Sequence, residues 1–119
     1  MIGYSYNGAH KKPWPGEPAP VWESPQKLTD NSMLVLACDL NAWAEPGTGA
    51  AWVIAPHCPG GAARQGAIPF LWVQRLTLPK DVGAQGGNVL TLAGSVHWRN
   101  LKQMSNYWAC QSGGYWNAW

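Results

Sequence analysis

The stretch Gly83–Arg99, GAQGGNVLTLAGSVHWR, decides the fold. Two short apolar runs flank a glycine-containing turn, the sequence signal of a β-hairpin. Turn chemistry then selects the geometry. A two-residue type I′ loop at Ala93-Gly94 would demand positive φ at Ala93, which a β-carbon disfavours. A type I turn over Leu92-Ala93, followed by a left-handed Gly94 in a bulge, avoids that strain. This register sets Thr91 against Ser95 and Leu90 against Val96. The hairpin is expected over residues 88–99, with Asn88 at its opening and Gly94 at its turn as the structural positions. Alternation puts Leu90, Val96 and Trp98 on one face and Thr91, Ser95 and His97 on the other. One face meets a core and the other meets water. The expected core is Leu34, Leu36, Leu90, Val96 and Trp98.

Working outward, Met33–Leu40 is nearly all apolar and reads as a central strand covered on both faces. Ala50–Ala55 reads as a second strand, cut off by Pro56. Ile2–Tyr6 alternates weakly and ends at Asn7-Gly8. Cys58–Gly66 reads as a glycine-rich loop, and Ile68–Leu78 as a strand or extended segment. Prolines at 13, 15, 18, 20 and 25 make residues 11–25 an extended surface arm. Ser24-Pro25 signals a short helical turn, with Ser as N-cap and Pro at the first helical position. Asn100 with Gln103 signals a capped helix running to about Trp108. Residues 100–119 form an aromatic C-terminal segment. The expected fold is α+β but mostly β. It is a single domain over 1–119, built as a small antiparallel sheet with one or two short helices and long Gly/Pro-rich loops.

GYSYNGAH at the start, SPQKL, MLVLACDLNAW, the triplet at Ala55-Pro56-His57, the hairpin and the aromatic close at Trp119 occur in this order. In that order they resemble the globular part of a prepilin-type, pseudopilin-like family, named for a histidine, a nine-residue gap and an Asp-Gly pair. Here the family's Asp-Gly is Ala93-Gly94, and its histidine position is Gly83. The family's long N-terminal hydrophobic helix has no counterpart in the sequence. The resemblance implies a pseudopilin-like globular domain without that helix. It also implies a non-catalytic subunit of an extracellular filament or a secretion-associated pseudopilus. Asp39 matches the family's pattern at a place where some pseudopilins pin a loop with calcium.

Composition supports contact more than turnover. Charged residues are 12% of the 119, against a usual share of about 25%. Net charge is +2, and Lys11-Lys12 is the densest basic cluster, which excludes a nucleic-acid footprint. No apolar run reaches the ~20 residues that span a bilayer, and no export signal is visible. Nine Trp stand beside one Phe. Trp14 and Trp22 in the arm, with Tyr115, Trp116 and Trp119 in the tail, are the expected interface anchors. Their partners would be copies of the chain, other pilin-like subunits or, in the alternative reading of an adhesive module, glycans. Localisation is expected to be extracellular or at the cell surface.

Catalytic patterns are sparse. Cys58 follows His57, and Asp39 lies upstream, but adjacent residues on an extended chain point opposite ways. No Gly-x-Ser-x-Gly elbow and no Walker loop occur. Cys38, Cys58 and Cys110 match no zinc spacing. Asp39-Leu40-Asn41 places two oxygen ligands at a strand end, a possible start for a calcium site, and no other cofactor is expected. No catalytic residues are assigned.

Overall fold

The structure, a computed structural model, describes residues 4–9, 22–44, 52–66, 78–108 and 116–119. Among the described residues two antiparallel sheets make up the fold. The first, sheet A, contains β1 (Tyr4–Tyr6), β2 (Val35–Asp39), β6 (Gly86–Thr91) and β7 (Val96–Asn100), in the order β1-β2-β6-β7. The second, sheet B, contains β3 (Asn41–Ala44), β4 (Trp52–Ala55), β5 (Ala63–Gly66), β8 (Asn106–Trp108) and β9 (Trp116–Ala118), in the order β5-β4-β3-β9-β8. Only Leu40 separates β2 from β3. One run of chain therefore leaves sheet A and enters sheet B, a corner of the kind that joins packed sheets.

The β6–β7 hairpin has the predicted turn. Thr91 N donates to Ser95 O at 3.0 Å and Gly94 N to Thr91 O at 2.9 Å. Gly94 has φ 82°, and Leu90 pairs with Val96. The strands extend beyond the expected ends, from Gly86 to Asn100. Asn88 therefore sits inside β6 and not at its opening.

The faces are opposite to expectation. Val89 and Thr91 are buried at 0% and 1% exposure, while Val96 and Trp98 stand 63% and 46% exposed. Leu34, Leu36 and Leu90 are only partly buried. Both alternating sets of the hairpin contain apolar residues, so periodicity alone could not choose between them. What chooses is the partner: Cys38, paired with Val89, faces sheet B.

Two clusters fill the interior. Between the sheets, Cys38, Val89 and Trp119 pack with Trp22, Val35 and Tyr107. On the far side of sheet B, Trp43, Val53 and Ala118 pack with Leu78, Val82, Leu101, Met104 and Trp116. Coverage on both faces explains why all four residues of β3 are buried. Sheet B, not Met33–Leu40, thus supplies the doubly covered strand; Met33 itself is 60% exposed.

Helical expectations are corrected. Among the described residues the helical elements are single 3₁₀ turns, Pro79–Val82 and Leu101–Gln103. Asn100 N donates to Gln103 Oε1 at 3.0 Å, in the predicted capping box. The chain then leaves the helix, because Asn106–Trp108 pairs with β9. At Ser24-Pro25 no helix forms. Asp30 Oδ2 instead accepts from Gln26 N and Lys27 N, at 2.8 and 3.1 Å, and these bonds hold its carboxyl below the ordinary range. Part of the expected loop Cys58–Gly66 is strand β5. Residues 68–77, Cys110 and most of the 11–25 arm lie outside the described residues.

Glycines set the closest approach in the hairpin. A β-carbon on Gly86, at φ 154°, would collide with the carbonyl oxygen of Arg99. One on Gly87 would come within 2.9 Å of Asn41 Nδ2 and 3.0 Å of Asp39 Cβ. The glycine-rich approach to the hairpin is therefore a packing requirement.

Candidate functional site

Asp39 ends β2 on the outer face of sheet A, yet it is 6% exposed. Its Oδ2 accepts three hydrogen bonds. Asn88 donates twice, from its backbone N at 2.7 Å and its Nδ2 at 2.9 Å. His57 donates from Nε2 at 2.8 Å. His57 arrives on the segment after β4, which Pro56 ends, and this segment is held because Gln85 N donates to His57 O at 2.9 Å.

The imidazole lies edge-on to Trp98, with ring centroids 5.0 Å apart at 76°. Trp98 pairs with Asn88 across the ladder, and its Nε1 donates to Asn100 Oδ1 at 3.2 Å. On the other flank Tyr4 pairs with Asp39 and is 69% exposed. Tyr4, Asp39, Asn88 and Trp98 thus form one row across the four strands. A parallel row on the same face runs Tyr6, Ala37, Leu90, Val96.

The row orients polar groups around a surface aromatic. A buried carboxylate that accepts three bonds locks one imidazole and one amide in place. A nucleophilic pair with Cys58 does not form in this arrangement. His57 Nε2 is turned to Asp39, and Cys58 Sγ donates to Ala55 O at 3.7 Å.

The expected calcium ligands serve the fold. Asp39 Oδ2 is committed to three N–H donors, and Asn41 Nδ2 donates to Gly86 O at 3.2 Å. Among the described residues no group of three or more His, Cys, Asp or Glu is placed to hold a metal ion. Asn41 and Asn117 are fully buried, and their Oδ1 atoms have no hydrogen-bond partner among the described residues.

The expected interface anchors are also redistributed. Trp119 is a core residue at 4% exposure, so it offers no contact surface. It stacks on Tyr107 at 4.3 Å and meets the edge of Trp22 at 5.6 Å. Trp116 stacks on Trp43 at 6.3 Å and is half-buried. Trp14 and Tyr115 lie outside the described residues. Among the described residues the exposed large apolar side chains are instead Tyr4, Tyr6, Leu28, Met33, Val96 and Trp98, four of them on the outer face of sheet A. Sequence reasoning missed this face because it had assigned Val96 and Trp98 to the core.

No family model, no curated protein and no solved structure matches the chain. Among the described residues no helix is long and apolar enough to cross a membrane.

Proposed function

We propose that the chain acts by association, as a non-catalytic, pilin-like structural subunit that packs on copies of itself or on related subunits in an extracellular filament or pseudopilus. The observation that carries this reading is the row Tyr6, Ala37, Leu90, Val96. It bears no charged side chain, and its two ends are 63% exposed. Exposed apolar area of this kind marks contact with another molecule.

Size favours repeated weak contacts. Four strands of three to six residues, about 4.8 Å apart, define a face on the order of 300 Å². A stable pairwise interface needs about 800 Å² per partner. A face this small sustains an assembly when the same contact recurs along it. Among the described residues β1 and β7 are the edges of sheet A. Laying β7 of one copy against β1 of the next would add backbone hydrogen bonds and give a head-to-tail contact that propagates.

Sedimentation velocity over a concentration series, with electron microscopy of the concentrated sample, tests the reading. The parent is expected to form concentration-dependent oligomers or filaments. The double variant Tyr6→Ser, Val96→Ser is expected to remain monomeric and folded. A parent that stays monomeric at the highest concentration overturns the proposal.

A further inference from the structure

The second row on the outer face of sheet A has a different chemistry from the first. We propose that Trp98, Asn88 and His57, with Tyr4 at the far flank, form a binding site for an uncharged carbohydrate chain. The argument starts from what Asp39 leaves free.

Asn88 gives one amide N–H to Asp39, so its Oδ1, an acceptor, and its second N–H, a donor, are left for a ligand. His57 gives Nε2–H to the same carboxylate, so in the neutral ring Nδ1 is an acceptor as well. Two acceptors and one donor fixed beside an aromatic ring match a ligand whose groups both donate and accept. A polyol's hydroxyls do both, while an ionised carboxylate offers no donor to the two acceptors.

The row Tyr4, Asp39, Asn88, Trp98 holds no lysine or arginine, and its one carboxylate, Asp39, is buried behind the groups it holds. An anion meets no lysine or arginine in the row. Trp98, 46% exposed, offers the apolar surface that the C–H face of a sugar ring requires. Tyr4 stands three strand positions away, roughly 14 Å, a reach that suits several linked sugar units more than one. The polar groups are ordered before binding, which removes the entropy loss that surface Asn and His side chains would otherwise suffer.

Calorimetry and NMR on the full chain test the proposal, with cellohexaose, maltohexaose, xylohexaose and chitohexaose as probes. At least one is expected to bind with a Kd of about 1 mM or tighter. The Trp98 indole N–H resonance and the Tyr4 ring resonances should shift, while those of the buried Trp119 stay in place. Trp98→Ala, an exposed edge-strand substitution, should abolish binding, and Asn88→Ala should weaken it roughly tenfold. The assembly variant Tyr6→Ser, Val96→Ser should bind as the parent does, so that failure of assembly and failure of binding are read separately. Absence of binding by all four sugars overturns the proposal. So does binding that leaves the Trp98 resonance unmoved, or that survives Trp98→Ala. Tetramethylammonium tests the competing occupant: if it shifts Trp98 and the sugars do not, the site is a cation site and the carbohydrate reading is wrong.

Discussion

Asn117 and Cys38 belong to different sheets and meet in the buried space between them, Nδ2 donating to Sγ at 3.8 Å. Asn7 Nδ2 donates to the same sulfur from the β1 side, also at 3.8 Å. Burial pushes the Cys38 thiol up to about 12 from 9.0, opposed in part by these amide bonds. The thiolate is the reactive form. Cys38 should therefore resist iodoacetamide at neutral pH in the folded protein and label only on unfolding, as mass spectrometry of labelled peptides would reveal.

The same thiol predicts a pH dependence. Between about 9 and 12 the unfolded chain has released the Cys38 proton while the folded chain retains it. Stability should then fall as pH rises through that window, by up to ~1.4 kcal/mol per pH unit. Cys38→Ala should flatten this slope in urea titrations at pH 8, 9 and 10. An unchanged slope would mean that the thiol is not protected.

Two glycines should differ in their tolerance of alanine. Gly94 has open space around it but a left-handed φ of 82°, so Gly94→Ala should cost about 1 kcal/mol. Gly86→Ala adds a collision with the Arg99 carbonyl and should cost about 3 kcal/mol, the upper range for overpacking. Equilibrium unfolding of the two variants side by side checks the order.

Trp119→Ala should destabilise by about 3–5 kcal/mol, because the indole fills the space between the sheets against Trp22 and Tyr107. Val96→Ser, on the exposed face, should shift stability by less than about 1 kcal/mol. Thermal melts separate a core position from a surface one, and equal losses would refute the division of roles.

Legibility in the sequence followed range. The hairpin turn was readable because Leu92-Ala93-Gly94 determines it locally. Strands at residues 35–39 and 52–55 were readable from unbroken apolar runs between turn signals. Pairings between distant segments were not. Asn41–Ala44 and Trp116–Ala118 lie far apart in the chain, and neither carries a mark of the other. Asn106–Trp108 looks helical after Asn100 and Gln103, and only β9 beside it makes it a strand. For the candidate site, Asp39 and His57 were each visible as residues of interest. The bond between them depends on how the segment after β4 returns to sheet A, which no local pattern encodes.

β9 lies between β3 and β8, so an interior position of sheet B is filled by the latest-made residues of the described chain. During synthesis, β3 and β4 can pair early, but the slot beside Asn41–Ala44 stays empty until Ala118 has emerged from the ribosome. Until then Trp43 and Cys38 lack the indoles of Trp116 and Trp119, and the hydrophobic interior stands open. Closure of sheet B thus waits for β9, the last strand of the described chain.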